Sequence, residues 1–111
     1  MGRVKANEFA GWIDISVVET LPLSDRLAIG LDRLKRARGT TNKELAEPLG
    51  FTESYMSQVM RGMRDVKLST LDKMAKEWNV SIEELLTVTE ADLPRVAALL
   101  ARRKKKSAFP G

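Results

Sequence analysis

The chain has 111 residues, 43% of them hydrophobic, enough for one modest core around a few helices and not for a second domain of useful size. It contains neither cysteine nor histidine, which excludes disulfides, thiolate metal sites, cysteine nucleophiles and the commonest general base, so neither an enzyme, a metal nor a cofactor is expected. The net charge of +4 sits in the tail: residues 23–88 carry eleven bases against ten acids, while residues 89–111 carry six against two. Any nucleic-acid footprint on the body must therefore come from the placement of Lys and Arg on one face. The apolar runs are too short to span a bilayer and no signal-peptide core opens the chain, so a soluble, cytoplasmic protein without membrane contact is expected.

Residues 9–18, FAGWIDISVV, set Ile13, Ile15 and Val17 against Asp14 and Ser16, the two-residue period of a half-buried strand. One strand cannot stand alone. Either it is an arm that pairs with its counterpart in a second copy, or it is a segment laid over the helical core with Phe9 and Trp12 plugging a gap. Pro22 closes this N-terminal extension of residues 1–22, and Ser24 or Asp25 is placed to cap the first helix.

Leu27, Leu31 and Leu34 then form an apolar helical stripe among Arg33, Lys35, Arg36 and Arg38, ended by Gly39. Gly30 inside this first helix costs about 1 kcal/mol relative to Ala, which points to a neighbour packed closely against it. Thr41 to Glu44 spells T-x-x-E, a capping box for a second helix that faces Leu45, Ala46 and Leu49 inward. Pro48 removes a backbone donor late in that helix, so a distorted last turn is expected. Gly50 ends it, and Thr52 is placed to cap a third helix over residues 53–60 with Met56, Val59 and Met60 inward and Gly62 as its stop.

Ser69 with Asp72 is read as the start of a fourth helix carrying Leu71, Met74, Ala75 and Trp78 at i, i+3, i+4 and i+7. Ser81 with Glu84 is a second S-x-x-E box, with Val80 and Leu85 at hydrophobic-staple positions, and opens a short fifth helix to about residue 87. A sixth helix over residues 92–103 places Leu93, Val96, Ala97 and Leu100 on one side, with Pro94 in its first turn. The domain reading is an extension over 1–22, a helical domain over 23–88, a C-terminal helix over 89–104 and a basic tail over 105–111. The run Arg102 to Lys106 is read as a frayed, solvated end, although such a run also suits a grip on DNA.

Purely structural roles cover much of the rest. Met56, Met60, Met63 and Met74 at helical spacing are expected as core filler, and Trp78 likewise. Glu44 and Glu47 share a helix face, but Glu44 is occupied by its capping box and no histidine accompanies them, so a structural role is expected.

Two helices joined by a short turn opening on Gly50 make a helix-turn-helix arrangement. Several spaced fragments coincide here: ELA at 44–46, LGF at 49–51, S..M.RG at 57–62, L.TL..MA at 68–75 and VSIEELL at 80–86. In these positions the region from Leu27 to Leu86, a little over half the chain, resembles the lambda-repressor-like family of phage Cro and repressor proteins and bacterial Xre regulators. The resemblance implies an all-α fold: a five-helix helix-turn-helix domain, here with a short N-terminal arm and an additional C-terminal helix. It implies double-stranded DNA as partner and transcriptional regulation, repressor-like, by a homodimer reading a palindromic operator.

Carried over by position, it implies base reading by Glu53, Ser54, Tyr55 and Gln58, and phosphate contacts from Asn42, Lys43, Thr52, Arg61 and Arg64. Gln58 suits adenine, Glu53 cytosine and Tyr55 a thymine methyl, although a carboxylate at Glu53 equally suits the helix dipole. Apolar material outside the five helices, residues 9–18 and 93–100, is assigned to the dimer contact through Trp12, Ile13, Ile15, Val17, Leu93, Val96 and Leu100. The same flanks suit a second protein partner, as in an antitoxin or adaptor with a DNA-binding core.

Overall fold

The structure, a computed structural model, describes residues 3–7 and 11–107, with side chains at positions 16 and 18–102. It divides into two compact units, residues 22–87 and residues 1–21 with 88–111. The first is built from five helices, α1 (Leu23–Arg38), α2 (Asn42–Ala46), α3 (Glu53–Met60), α4 (Leu68–Trp78) and α5 (Ile82–Leu86). Their apolar stripes meet in one core of Leu27, Leu31, Leu45, Ala46, Leu49, Met56, Val59, Met74, Trp78 and Leu85.

Local sequence sets most of the boundaries. Thr41 and Glu44 close a reciprocal capping box at α2, and Ser81 and Glu84 close another at α5. Each satisfies two amides that would otherwise be left open at a helix start. The ring of Pro48 does distort the end of the second helix: the α-helix stops at Ala46 and Glu47–Leu49 continues as a 3-10 turn. Gly50 comes next at φ +75°, a conformation that a side chain makes costly, and Gly62, just past the end of α3, has φ +72°.

Two caps differ from the expected ones. Helix α1 begins four residues earlier than its stripe, with Pro22 at the N-cap and no side-chain cap bond, so neither Ser24 nor Asp25 caps it. Helix α4 begins at Leu68 behind Lys67, so Ser69 lies inside the helix instead of capping it. Of the methionines, Met56 and Met74 are core and Met60 is half-buried, but Met63 stands in the exposed segment after α3.

Helices α1 and α5 touch backbone to backbone. A Cβ added at Gly30 would lie 1.8 Å from the carbonyl oxygen of Leu85, so this glycine is dictated by the crossing. Arg33 seals the same junction, donating from Nη1 to the Thr87 carbonyl at 3.1 Å and from Nη2 to the Glu84 carbonyl. Arg38 donates to the Trp78 carbonyl at the end of α4, and Lys73 donates to the Leu49 carbonyl at 3.1 Å. Phe51 and Tyr55 pack against the core as an edge-to-face pair, ring centroids 4.7 Å apart.

In the second unit, β1 (Arg3–Asn7) pairs antiparallel with β2 (Gly11–Asp14), with Val4 opposite Ile13, Lys5 opposite Trp12 and a bulge between Lys5 and Asn7. The strand expected near residues 9–18 is thus present over Gly11–Asp14 and has its partner within its own chain. From Ile15 to Thr20 the chain turns as a 3-10 helix, so Ile15 and Val17 do not continue the strand. Phe9 lies outside the described residues, as do the side chains of Trp12, Ile13, Ile15 and Val17.

Asp92 accepts the backbone amide of Thr89 at 3.0 Å, a T-x-x-D cap that the sequence reading does not include, ahead of α6 (Leu93–Ser107). Helix α6 runs on through the basic run that was expected to fray, and β1 lies against it. Leu93 and Val96 are fully buried and Leu99 is also buried, so Leu93 and Val96 are not left exposed for a second copy as expected. Leu100 is half-buried.

Two stability measurements test this packing. In open space Gly30→Ala would gain about 1 kcal/mol of helix propensity. Against the Leu85 carbonyl it is expected to lose about 2–3 kcal/mol in chemical denaturation, and a neutral or stabilising result refutes the close crossing. Tyr55→Ala is expected to lose about 2 kcal/mol, because its ring belongs to the Phe51 pair, whereas Ser54→Ala should stay within about 0.5 kcal/mol.

Candidate nucleic-acid interface

Helix α3 is short, with Glu53 in its first position, and it is fixed at three points. Thr52 Oγ1 accepts the Tyr55 amide at 3.0 Å and caps its start. Met56 and Val59, one turn apart on its underside, are 0% and 1% exposed. Gly50 and the 3-10 turn before it set the angle at which the chain leaves α2.

With that side fixed, the opposite side is presented outward. Glu53, Ser54, Ser57, Gln58 and Arg61 share an open hollow with Asn42 from the start of α2. The spacing i, i+1, i+4, i+5, i+8 is one face of a helix, rich in hydrogen-bonding groups and poor in charge. Of the expected base-reading residues, the structure brings Glu53, Ser54 and Gln58 together here. Tyr55 is not among them: its ring is half-buried on the core beside Phe51. Ser57 is a lining residue that the sequence reading does not include, although the helical period counted from Glu53 and Ser54 passes through it.

The expected phosphate residues surround this face. Lys43 and Thr52 are exposed, and the Thr52 hydroxyl keeps its own proton to donate while its oxygen caps α3. Asn42 is half-buried, and its Oδ1 is enclosed without a hydrogen-bond partner. Arg61 donates from Nη2 to Ser57 Oγ at 3.4 Å. Arg64 is held differently: its Nε donates to Gln58 Oε1 at 2.6 Å and its guanidinium lies 5.6 Å from the Tyr55 ring centroid.

The described residues contain no group of three or more acids that could hold an ion, and the hollow has one carboxylate, Glu53. No described helix is long and apolar enough to cross a membrane.

Comparison with known proteins agrees with the geometry. Residues 30–91 match the model of the Cro/C1-type HTH DNA-binding domain. An uncharacterized HTH-type transcriptional regulator, y4dJ, of Sinorhizobium fredii is 38% identical over 58 residues, which are 52% of this chain and 75% of that protein. Among solved structures, the hypothetical transcription factor NHTF from Neisseria is similar with a TM-score of 0.57 at 29% identity, over 65% of this chain and 83% of that one. The clp gene regulator ClgR from Corynebacterium glutamicum shares the fold, with a TM-score of 0.56 at 23% identity over 79% and 89% of the two chains. The helical crossing at Gly30, the capped recognition helix and a family match over more than half the sequence lead to one assignment: the chain belongs to the Cro/C1-type HTH DNA-binding domain family and is a DNA-binding regulator, not an enzyme.

Proposed function

We propose that this regulator is sequence-specific and acts as a homodimer, repressor-like, on a palindromic operator in the cytoplasm. The observation that carries the reading is the contrast across α3, whose apolar underside is sealed in the core while its polar side lines an open hollow. Glu53, Ser54, Ser57 and Gln58 read base edges. Asn42, Lys43, Thr52 and Arg61 hold the phosphates through their N–H and O–H donors. One such face reads only a few base pairs, and two-fold pairing multiplies the discrimination by placing recognition helices about 34 Å apart in successive major grooves.

The dimer contact belongs to the smaller unit, with Leu100 and the β1–β2 ribbon as its candidates. That unit lies largely outside the family match, which also supports a second reading in which it binds another protein. A stoichiometric polypeptide that copurifies and is lost on deleting residues 1–20 or 90–111 would replace the homodimer.

Selection from random duplex DNA is expected to return a two-fold symmetric consensus that changes with Ser54→Ala and with Gln58→Ala. A consensus indifferent to both rejects these reading residues, and a monomer in sedimentation at micromolar concentration, free and on DNA, rejects the homodimer. Lys43→Ala should weaken binding to all sequences alike and reduce the slope of log affinity against log salt by about 1.

A further inference from the structure

We propose that Arg64 is a positioning residue that turns Gln58 into a reader of guanine in place of adenine. The inference rests on α3 being the base-reading helix and says which edge one of its residues selects.

Four side chains form a continuous support from the core to the hollow. Phe51 packs on the core, Tyr55 stands edge-on against Phe51 at 4.7 Å, the Arg64 guanidinium lies over the Tyr55 ring, and Arg64 Nε donates to Gln58 Oε1 at 2.6 Å. Gln58 is the member of this series that lines the hollow. A guanidinium has five N–H donors and no acceptor, so only the amide oxygen of Gln58 can face it. That settles the orientation of the amide: the oxygen faces Arg64, with one of its two lone pairs engaged, and the NH2 group is left to donate to a ligand.

This orientation changes what Gln58 recognises. An unconstrained glutamine pairs with adenine by donating to N7 while its oxygen accepts from the N6 amino group. Here that amino group would have to approach an oxygen already engaged by a cation, donor beside donor. Guanine presents acceptors at both N7 and O6, either of which the Gln58 NH2 group meets as a donor without conflict. The stacked ring keeps Arg64 in place before DNA arrives, so less side-chain freedom is lost on binding.

Selection from random duplexes is run on the full chain, on Gln58→Ala, Arg64→Met and Arg64→Lys, with melting temperatures confirming that each variant is folded. The position whose preference disappears in Gln58→Ala marks the base that Gln58 meets, and in the parent protein it is expected to be guanine. Arg64→Met is expected to shift the guanine-to-adenine ratio there about tenfold toward adenine. Arg64→Lys keeps the charge, so it should keep the salt dependence of binding while still relaxing the preference, because an ammonium lacks the planar stacked fork. If Arg64→Met weakens every sequence alike, lowers the salt slope and leaves the base ratio unchanged, Arg64 is a phosphate contact and the inference fails while the reading of α3 survives. Adenine at that position in the parent protein also overturns it. A parent protein that selects no consensus removes both.

Discussion

Everything on the hollow side of α3 depends on the burial of Met56 and Val59 beneath the helix. A helix of eight residues has no independent stability in water, because its nucleation cost is recovered only over a greater length. Its order comes from the core below and the Thr52 cap at its start. Ala46 lets α2 approach, Gly50 allows the turn, and Leu31 and Leu45 complete the floor. The hydrophobic effect is therefore what aims Ser54, Ser57 and Gln58, the residues proposed to read, because it fixes the backbone from which they project.

The demands of that framework also account for where several cations of the body are placed. Arg33 and Arg38 cover carbonyls at the ends of α5 and α4, and Lys73 covers the carbonyl of Leu49 in the turn between α2 and α3. These cations close the helical framework, replacing the water that its open carbonyls would otherwise need. Arg36 with Asp32 and Lys76 with Asp72 form exposed i, i+4 pairs that contribute little. What is left in the hollow is one base, Arg61, and one acid, Glu53, among neutral polar groups. Such a face discriminates by hydrogen-bond pattern more than by charge, which suits the reading of base edges.

The legibility of each element in the sequence depends on how local its determinant is. The boxes at Thr41 and Ser81, the break at Pro48 and the turn at Gly50 are decided within a few residues, and each stands where the sequence places it. Gly30 is readable as a close approach, but its neighbour is not, because Leu85 is distant in the chain. Ser69 with Asp72 has the spacing of a true box, yet the N-cap of α4 is Lys67, two residues earlier, and the first helical residue, Leu68, is 83% exposed, so the apolar stripe does not fix where the helix begins. β1 pairs with β2 as a hairpin across three residues, and Val4 and Ala6 do alternate with Arg3, Lys5 and Asn7, but so short a run announces neither a strand nor what it pairs with. Leu93 and Val96 show the same limit: a period reveals an apolar face but not whether the chain's own fold or a second copy covers it. Tyr55 defeats reading by position because an aromatic ring at the edge of a recognition helix can point either way, and Phe51 decides which.

The 3-10 turn imposed by Pro48 also bears on affinity. The 3-10 turn over Glu47–Leu49 links α2 to α3, and Lys73 holds the Leu49 carbonyl from α4. Asn42 and Ser57, on different helices, consequently line one hollow. A site assembled during folding does not have its backbone to order on binding, so more of each contact's free energy appears as affinity. A small interface has few contacts to draw on, and for such an interface rigidity of the turn matters as much as the identity of the residues on the helix beyond it.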